Sequence, residues 1–396
     1  MRQMTSNPLN AGVDACDVFQ TFNIRRVINC CGIYTDLGGS VLSPSVWQAI
    51  EQLNTAYVRM TDLLDAASAL VAKLTGAEAA RITPGASAAI TLAVGATITR
   101  GSRPHSEQLP DTRGLKSEVI IASSHLASYK YSVCIRMCGA HLTPVGSRAR
   151  FDLGALTERI TDQTACVFVP AHLLDGFSGT DLLREVVKSA HARDVPVVVD
   201  AAYMCDPTNL IAQFPASGAD LTCFSAKYFF GPNSGGFVIG RKGLIKAVEG
   251  LDFTRFESGP YRKFGRPFKM SRYDVASTAL ALREWMTADH ERRWATYRRR
   301  VQVLLSAATG KRAVSIVPLL FTMTEDLTKS DKVNCIAITF TSLAHAAAVS
   351  EQLEGGDPII ATILMGNRLV ISVDALQDGE EHIVAERLRA ALDSTL

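Results

Sequence analysis

Two short stretches, Val195-Pro-Val-Val-Val-Asp200 and Leu221-Thr-Cys-Phe-Ser-Ala-Lys227, decide the fold of this chain. Both begin with an apolar run, which is typical of a strand buried on both faces of a parallel sheet. Each run is followed by a residue with a formal charge, Asp200 in the first stretch and Lys227 in the second. Because open α/β sheets place their functional groups where strands end, we expect both side chains at one edge of a sheet.

Strand and helix patterns alternate around these stretches, which predicts an α/β fold with a mostly parallel sheet covered by helices. We predict an N-terminal arm and helix (1–60), a large domain (61–272), a linking helix (273–310) and a small C-terminal α/β domain (311–396). The polar stretch 99–117 is predicted to be a loop. The strands predicted for the large domain are Arg81–Thr83, Glu118–Ala122, Ala165–Pro170, Val195–Asp200, Leu221–Ser225 and Gly236–Gly240.

The composition predicts a globular protein with a substantial core. The chain has 396 residues, 47% of them hydrophobic, and a formal net charge of +2. This charge gives no reason to expect nucleic acid or a membrane surface as partner. The nine cysteines are odd in number and scattered, which favours reduced thiols in a cytoplasmic protein. Neither a signal peptide nor an apolar run of membrane-spanning length is expected.

An acid at the end of one strand and a lysine after the next are what pyridoxal 5'-phosphate (PLP) requires. Lys227 would form the Schiff base, and Asp200 would hold the pyridine nitrogen protonated so that the ring acts as an electron sink. Each residue alone has an ordinary alternative, a solvated lysine and a helix N-cap. Small residues after Asp200, Ala201 and Ala202, would let a flat ring approach and favour the cofactor.

Other strand ends supply candidates for the rest of this site. Gly85, Ala86 and Ser87 open an apolar helix, whose backbone N–H groups are suited to a phosphate, and Ser225 could bond the same phosphate. His125 follows a predicted strand and is expected to stack on the ring. Tyr129 and His172 are candidate substrate contacts.

A basic cluster between residues 262 and 272 is either a solvated charge run or a clamp for an anionic substrate. We take Arg266, Lys269 and Arg272 from this cluster as candidate substrate residues, together with Arg368 of the small domain. Cys134, Cys138 and His141 have metal-like spacing, but no second group of ligands accompanies them. We therefore expect the two cysteines to pack on a helix and no metal to bind.

In combination, these motifs resemble fold-type I PLP enzymes of the selenocysteine synthase-like family, the group of L-seryl-tRNA selenium transferase and D-glucosaminate-6-phosphate ammonia-lyase. The resemblance extends from Val27 to about Leu282. The stretches that carry it are Ile28-Asn29, Leu37-Gly38-Gly39-Ser40, Leu74-Thr-Gly-Ala-Glu78, Thr83-Pro-Gly-Ala-Ser87, Leu109-Pro-Asp-Thr-Arg-Gly114, Ser124-His125, Val198-Val-Asp200-Ala-Ala202, Phe224-Ser225-Ala-Lys227 and Gly265-Arg266-Pro267-Phe-Lys269.

The resemblance implies PLP on Lys227, Asp200 at the ring nitrogen, His125 over the ring and the Gly85–Ser87 turn on the phosphate. It also implies a homodimer with sites at the subunit interface. The chain departs from the family pattern at Leu126, Lys130, Cys30-Cys31 and Ser271-Arg272-Tyr273-Asp274. These positions are expected to line the substrate pocket. The resemblance therefore does not decide whether the substrate is a sugar phosphate. We expect no tRNA-binding N-terminal domain of the kind found in the selenium transferase, and therefore no tRNA substrate.

The resulting prediction is a PLP-dependent lyase or transferase that acts at Cα or Cβ of an amino acid through a Schiff base and a quinonoid. We favour β-elimination on a small anionic amino acid, by analogy with an ammonia-lyase. Racemisation or epimerisation, aldol cleavage, transamination and β-substitution remain alternatives on the same scaffold. A non-catalytic PLP-fold binding protein is the alternative from another class. A dinucleotide enzyme is disfavoured because no Gly-x-Gly-x-x-Gly follows the first strand.

Overall fold

A computed structural model of the protein describes residues 17–171, 180–309 and 315–394. Its strands are β1 Val27–Asn29, β2 Ala79–Thr83, β3 Glu118–Ala122, β4 His141–Val145, β5 Thr164–Pro170, β6 Val197–Asp200, β7 Leu221–Ser225, β8 Gly236–Gly240, β9 Ser315–Phe321, β10 Leu327–Thr328, β11 Cys335–Thr339, β12 Ile359–Ala361, β13 Ile363–Met365 and β14 Arg368–Ser372. Its α-helices are α1 Val18–Phe22, α2 Pro44–Leu53, α3 Met60–Thr75, α4 Gly85–Thr99, α5 Arg103–Gln108, α6 Ser123–Leu126, α7 Ser132–Arg136, α8 Leu153–Arg159, α9 Thr180–His191, α10 Leu210–Ala216, α11 Lys242–Leu251, α12 Arg272–Thr287, α13 His290–Ala308, α14 Leu343–Glu354 and α15 Glu380–Ser394.

The chain divides into two compact units. Residues 38–288 form the first, which we call the large unit, and residues 17–37 together with the described residues from 289 onward form the small unit. None of the helices in the described ranges is both long and apolar enough to span a membrane.

The large unit is built on a seven-stranded sheet with the order β2-β8-β7-β6-β5-β3-β4. Strand β8 runs antiparallel to its neighbours β2 and β7, and the remaining neighbouring pairs are parallel. This topology confirms the predicted α/β fold with a mostly parallel sheet. It brings the carboxyl ends of β2, β7, β6, β5 and β3 to one edge, which we call the carboxyl edge.

Strands β6 and β7 form where their apolar residues predict, because both faces of the sheet are covered. Every residue of both strands is buried. On one face lies α4, whose residues 88–99 are all buried and which packs against β5, β6, β7 and β8. A helix that is apolar all round is stable only inside a core. Its burial fixes the start of α4 at Gly85 close to the carboxyl edge.

The small unit contains a five-stranded antiparallel sheet with the order β10-β9-β11-β14-β13, and a separate parallel pair of β1 with β12. Its core packs α13, α14 and α15 against the inner residues of β11 and β14. The single helical pattern expected from Tyr273 to Ala308 is two helices. Asp289 lies between them and caps α13, its carboxylate accepting the Arg292 N–H at 2.9 Å.

Two further predictions in the large unit differ from the structure. The stretch 99–117 contains α5, because Ser102 caps this helix and Pro104 lies in its first turn, where proline is tolerated. The sequence pattern also predicts a helix from Tyr129 to Met137; the structure instead has the short helices α6 and α7, one before Tyr129 and one after it. This break lets the Tyr129 side chain turn into the interior.

Candidate functional site

Asp200 and Lys227 lie at the carboxyl edge on two neighbouring strands. Asp200 is the last residue of β6 and pairs in register with Cys223 of β7. Lys227 follows β7 by two residues, in the short 3-10 turn Ala226–Phe229. Its side chain is half-buried, with Nζ 5.0 Å from the ring centroid of Tyr228. The structure therefore brings the predicted acid and lysine to the same end of adjacent strands.

Backbone hydrogen bonds fix the turn that carries Lys227. The Ala226 N–H donates to the Gly235 carbonyl at 2.8 Å, and the Gly231 N–H donates to the Ala226 carbonyl at 2.8 Å. Just before the turn, the Ser225 N–H donates to the Ala202 carbonyl at 2.9 Å. These bonds tie the turn to both the loop after it and the chain after Asp200. A lysine on a rigid turn is suited to hold a group in one orientation.

Asp200 is a buried carboxylate that accepts hydrogen bonds from two neutral donors. Its side chain is 4% exposed, its Oδ2 accepts the Tyr129 hydroxyl at 2.6 Å and its Oδ1 accepts the Ala202 N–H at 3.0 Å. Burial raises the pKa of Asp200, and the two hydrogen bonds oppose that rise. Among the residues that the structure describes, no lysine, arginine or histidine forms an ion pair with it.

His125 lies in α6, directly after β3, and is also buried. Its ring stacks on the ring of Phe151, with 5.4 Å between the centroids and 23° between the planes. The sheet order separates β3 from β6 by one strand, β5. The stacked pair orients the imidazole at the carboxyl edge, and its predicted place over the cofactor ring remains a prediction.

The predicted phosphate ligands meet across β8. Thr83 at the end of β2 and Ser225 at the end of β7 both pair with Gly236, the first residue of β8. A Cβ on Gly236 would lie 2.6 Å from the Gly85 carbonyl carbon, so only glycine lets the start of α4 approach β7 this closely. Gly85 itself has φ +78°, and no side chain caps α4. The N–H groups of the first turn are thereby available to an anion.

These features fit PLP by their chemistry. A buried carboxylate without a cationic partner suits a protonated ring nitrogen, because buried charges require compensation. The uncapped start of α4 beside Ser225 suits a phosphate, and Lys227 supplies an amine for the aldehyde. All three lie at one edge of one sheet.

The candidate substrate residues are only partly brought together. Arg266 makes an ion pair with Glu257 at 3.0 Å, and Lys269 is exposed in the same segment. Arg272 donates to the Ala56 carbonyl at 2.7 Å, so it fastens the start of α12 to the chain after α2. Arg368 is an exposed residue of the small unit, the first of β14. His172 lies outside the described residues.

A cavity of about 650 Å³ lies beside the segment that carries Arg266 and Lys269. It is lined by Met60 and Thr61 at the start of α3, by parts of 253–260 and by Lys269 and Met270. Its lining includes the cations Arg255 and Lys269 and the acid Glu257.

Sequence reasoning missed two contacts of this site. The sequence predicts that Tyr129 faces the substrate. In the structure its hydroxyl donates to Asp200, and a contact between Tyr129 and the substrate remains a prediction. Lys263, part of the predicted basic clamp, is an internal cation that donates to Asp252 at 3.1 Å. Neither pairing leaves a local signal, because Tyr129 and Asp200 are 71 positions apart and no helix periodicity or strand register relates Lys263 to Asp252.

The fold and this set of groups define a PLP-dependent enzyme of fold type I. Solved structures with the same architecture include one of SPT with PLP, which has a TM-score of 0.53 at 15% identity and covers 94% of this chain and 88% of that chain. Residues 27–257 match the sequence profile of L-seryl-tRNA selenium transferase, SelA. The chain belongs to the SelA family.

Relatives that match over nearly the whole chain have different names. D-glucosaminate-6-phosphate ammonia lyase of Salmonella typhimurium is 28% identical, over 94% of this chain and 97% of its own. A solved structure of D-glucosaminate-6-phosphate ammonia-lyase has a TM-score of 0.81 at 26% identity, and the match covers 96% of this chain and all of that chain. The 5'-C-glycyluridine monooxygenase-decarboxylase of a Streptomyces species is 26% identical, over 95% of this chain and 92% of its own.

Proposed function

We propose that this enzyme catalyses β-elimination on a small anionic amino acid and releases ammonia and a keto acid. The observation that carries the proposal is the buried Asp200, which forms no ion pair with any described residue and lies on the strand next to the one that leads to Lys227. The similarity to the ammonia lyase supports the type of reaction. The cations Arg255 and Lys269 that line the cavity of the large unit support an anionic substrate.

Bound PLP supplies a sink for the electron pair left at Cα when a bond to that atom breaks. Asp200 accepts the hydrogen bond of the ring nitrogen and keeps that nitrogen protonated. The first turn of α4 and Ser225 bind the phosphate, and His125 restricts the ring plane from the side of β3. Together these residues hold the ring in a single orientation.

Lys227 has two roles in this proposal. Its amine would anchor the cofactor, and when free that amine would remove the Cα proton of the substrate. The electron pair at Cα then forms a Cα=Cβ double bond, the leaving group departs with the electron pair of its own bond to Cβ, and Lys227 or water returns a proton to it. The released enamine tautomerises to an imine and adds water, which yields the keto acid and ammonia. Arg255 and Lys269 hold the anionic end of the substrate in the cavity.

The first test is a visible absorption spectrum of the protein supplied with PLP, titrated with D- and L-amino acids that differ in side-chain charge. We expect a cofactor band that shifts with anionic amino acids only, together with release of ammonia and a keto acid. Lys227→Ala should lose the native band and turnover, whereas Lys246→Ala, which removes an exposed lysine of α11, should behave as wild type.

Other outcomes of this test redirect or remove the proposal. Release of carbon dioxide without ammonia would replace β-elimination by decarboxylation, the alternative that the name of the Streptomyces relative favours. Inversion of the added enantiomer would indicate a racemase. A band that no amino acid shifts would favour a non-catalytic PLP-binding protein.

We also propose that the enzyme works as a homodimer. Trp47 and Tyr57 of the large unit expose 56% and 99% of their surface, and large exposed aromatic residues are typical of protein interfaces. Sedimentation of wild type and of Trp47→Ser/Tyr57→Ser tests this proposal: we expect a dimer for the wild type and a weakened one for the variant. A monomeric wild type would contradict it.

We propose a cytoplasmic location as well. No disulfide joins any two of the eight cysteines within the described residues, and seven of the eight are buried. Free thiols are typical of a reducing compartment. Fractionation of the source cells tests the location, and recovery outside the cytoplasm would contradict it.

A further inference from the structure

The contact between Tyr129 and Asp200 is more than a packing contact. The phenol is 4% exposed, and its hydroxyl donates to Asp200 Oδ2 at 2.6 Å, within the range of short bonds to a charged acceptor. The Tyr129 ring packs against Phe168 of β5 and against Tyr131, with centroid distances of 5.6 and 5.9 Å. These ring contacts hold the hydroxyl where it is.

Asp200 retains acceptor capacity after this bond is made. An ionised carboxylate has about four lone-pair positions. Tyr129 occupies one on Oδ2 and the Ala202 N–H occupies one on Oδ1. Each oxygen therefore keeps a position for a further donor, such as the ring N–H of the cofactor.

The titratable groups that face Asp200 come from three segments. Tyr129 and Cys134 belong to the segment after β3, Cys223 lies on β7, and Tyr228 lies in the turn after β7. These four groups are not cations. Lys227, in the same turn as Tyr228, is the cationic side chain of this region, and within the described residues it forms no ion pair with Asp200. Burial raises the pKa of Asp200, and the Tyr129 hydroxyl is the strongest of the influences that lower it. Loss of this hydroxyl would therefore increase the affinity of Asp200 for a proton.

We propose that Tyr129 is a positioning residue that keeps Asp200 ionised, so that the shared proton stays on the ring nitrogen of the cofactor. This inference rests on the proposed function of the site. Without the phenol, Asp200 competes for the proton and takes it, and the ring nitrogen becomes neutral. A neutral ring is a weaker electron sink, so the chemical step slows while substrate binding is unchanged.

Nuclear magnetic resonance of the enzyme loaded with PLP labelled with ¹⁵N in the ring tests this inference. In wild type we expect the resonance position of a protonated ring at neutral pH. In Tyr129→Phe we expect it to move toward the unprotonated position, since the ratio of ring-protonated to Asp-protonated forms falls by about ten- to a hundredfold. We expect kcat to fall by a similar factor and KM to stay the same. Tyr131→Phe removes the hydroxyl of a neighbouring, 48% exposed ring and should change neither quantity.

A second variant keeps the test decisive if Tyr129→Phe fails to fold. Replacement of Tyr129 by 3-fluorotyrosine retains the ring and makes the hydroxyl a stronger donor, so the resonance should move toward the fully protonated position. A resonance that neither variant moves, in protein that retains the cofactor band, would overturn the role of Tyr129 and leave the proposed function intact. A wild-type protein that takes up no PLP would overturn both.

Discussion

Two buried aspartates of the large unit, Asp252 and Asp200, differ in how their charge is compensated. Asp252 accepts the Arg81 Nε–H at 2.8 Å and the Lys263 ammonium at 3.1 Å, and Thr254 donates to it as well. Asp200 is just as buried, and its donors within the described residues are the Tyr129 hydroxyl and the Ala202 N–H. The first carboxylate has its cations in the protein, and the second has none among the described residues.

The difference indicates what each carboxylate is for. A buried charge is costly unless it is paired, so a protein that leaves one unpaired requires a compensating ligand or loses stability. Asp252 fixes the segment after α11, on which the cavity residues lie. Asp200, at the carboxyl edge, is compensated when the protonated ring of PLP binds. Substitution of each by asparagine should therefore have opposite effects.

Asp200→Asn should have the largest effect on activity. Asparagine keeps the shape of the side chain but cannot hold the ring nitrogen protonated, so we expect kcat/KM to fall by about 10²- to 10³-fold. The cofactor band should remain, because Lys227 is unchanged. Steady-state kinetics with the preferred amino acid checks this. Asp194→Asn, at a 96% exposed side chain, is the control, and equal activity of the two variants would contradict the role of Asp200.

Asp252→Asn should have the largest effect on stability. It leaves the Lys263 ammonium and one face of Arg81 without a counter-charge, and we expect the free energy of unfolding to fall by about 3 kcal/mol. Urea denaturation measures this loss. Asp194→Asn breaks an exposed pair with Arg100 and should cost less than about 1 kcal/mol. A cofactor band that is lost from protein that is still folded would show that Asp252 belongs to the cofactor site instead.

The comparison also shows how far the sequence alone leads. The ends of β6 and β7 could be predicted because short apolar runs followed by Asp200 and Lys227 are local signals. Strand β4 was missed because it contains Pro144, which only an edge strand accommodates, and β4 is the edge of the sheet. Strand β9 was missed because most of its residues are not buried and no alternation appears.

Within the candidate site, the pairings could not be predicted. The hydroxyl of Tyr129 and the carboxylate of Asp200 meet because β3 and β6 lie on either side of β5, which is a property of the sheet order. Likewise, Lys263 and Arg266 belong to the same basic cluster of the sequence. Lys263 donates to the buried Asp252, whereas Arg266 pairs with Glu257. Tertiary packing, not spacing, separates structural cations from those available to a ligand.

The stability of the cofactor-free protein should depend on pH through Asp200. Its pKa in the folded state is raised by burial above the unfolded value of about 3.9. Protonated Asp200 therefore contributes stability below the unfolded pKa, and this contribution is lost as pH rises through the folded pKa. Asparagine does not ionise, so Asp200→Asn does not lose stability in this way. Its melting temperature should therefore exceed that of wild type by a margin that grows with pH and then levels off. Melting curves across the acid and neutral pH range check this.

Addition of PLP should reduce that margin, because the protonated ring compensates the charge of Asp200. An Asp200→Asn margin that is constant across the pH range would contradict the uncompensated charge.

The smallest expected effect concerns an exposed cation at the cavity. Lys269 is exposed, so water screens its attraction for an anionic substrate, and we expect Lys269→Ala to raise KM about fivefold with kcat unchanged. Because the contribution is electrostatic and exposed, it should shrink as the salt concentration rises. Lys246→Ala, at an equally exposed lysine of α11, should leave KM unchanged. A KM that Lys269→Ala does not alter at low salt would remove Lys269 from the substrate site and confine anion recognition to the other cavity cation, Arg255.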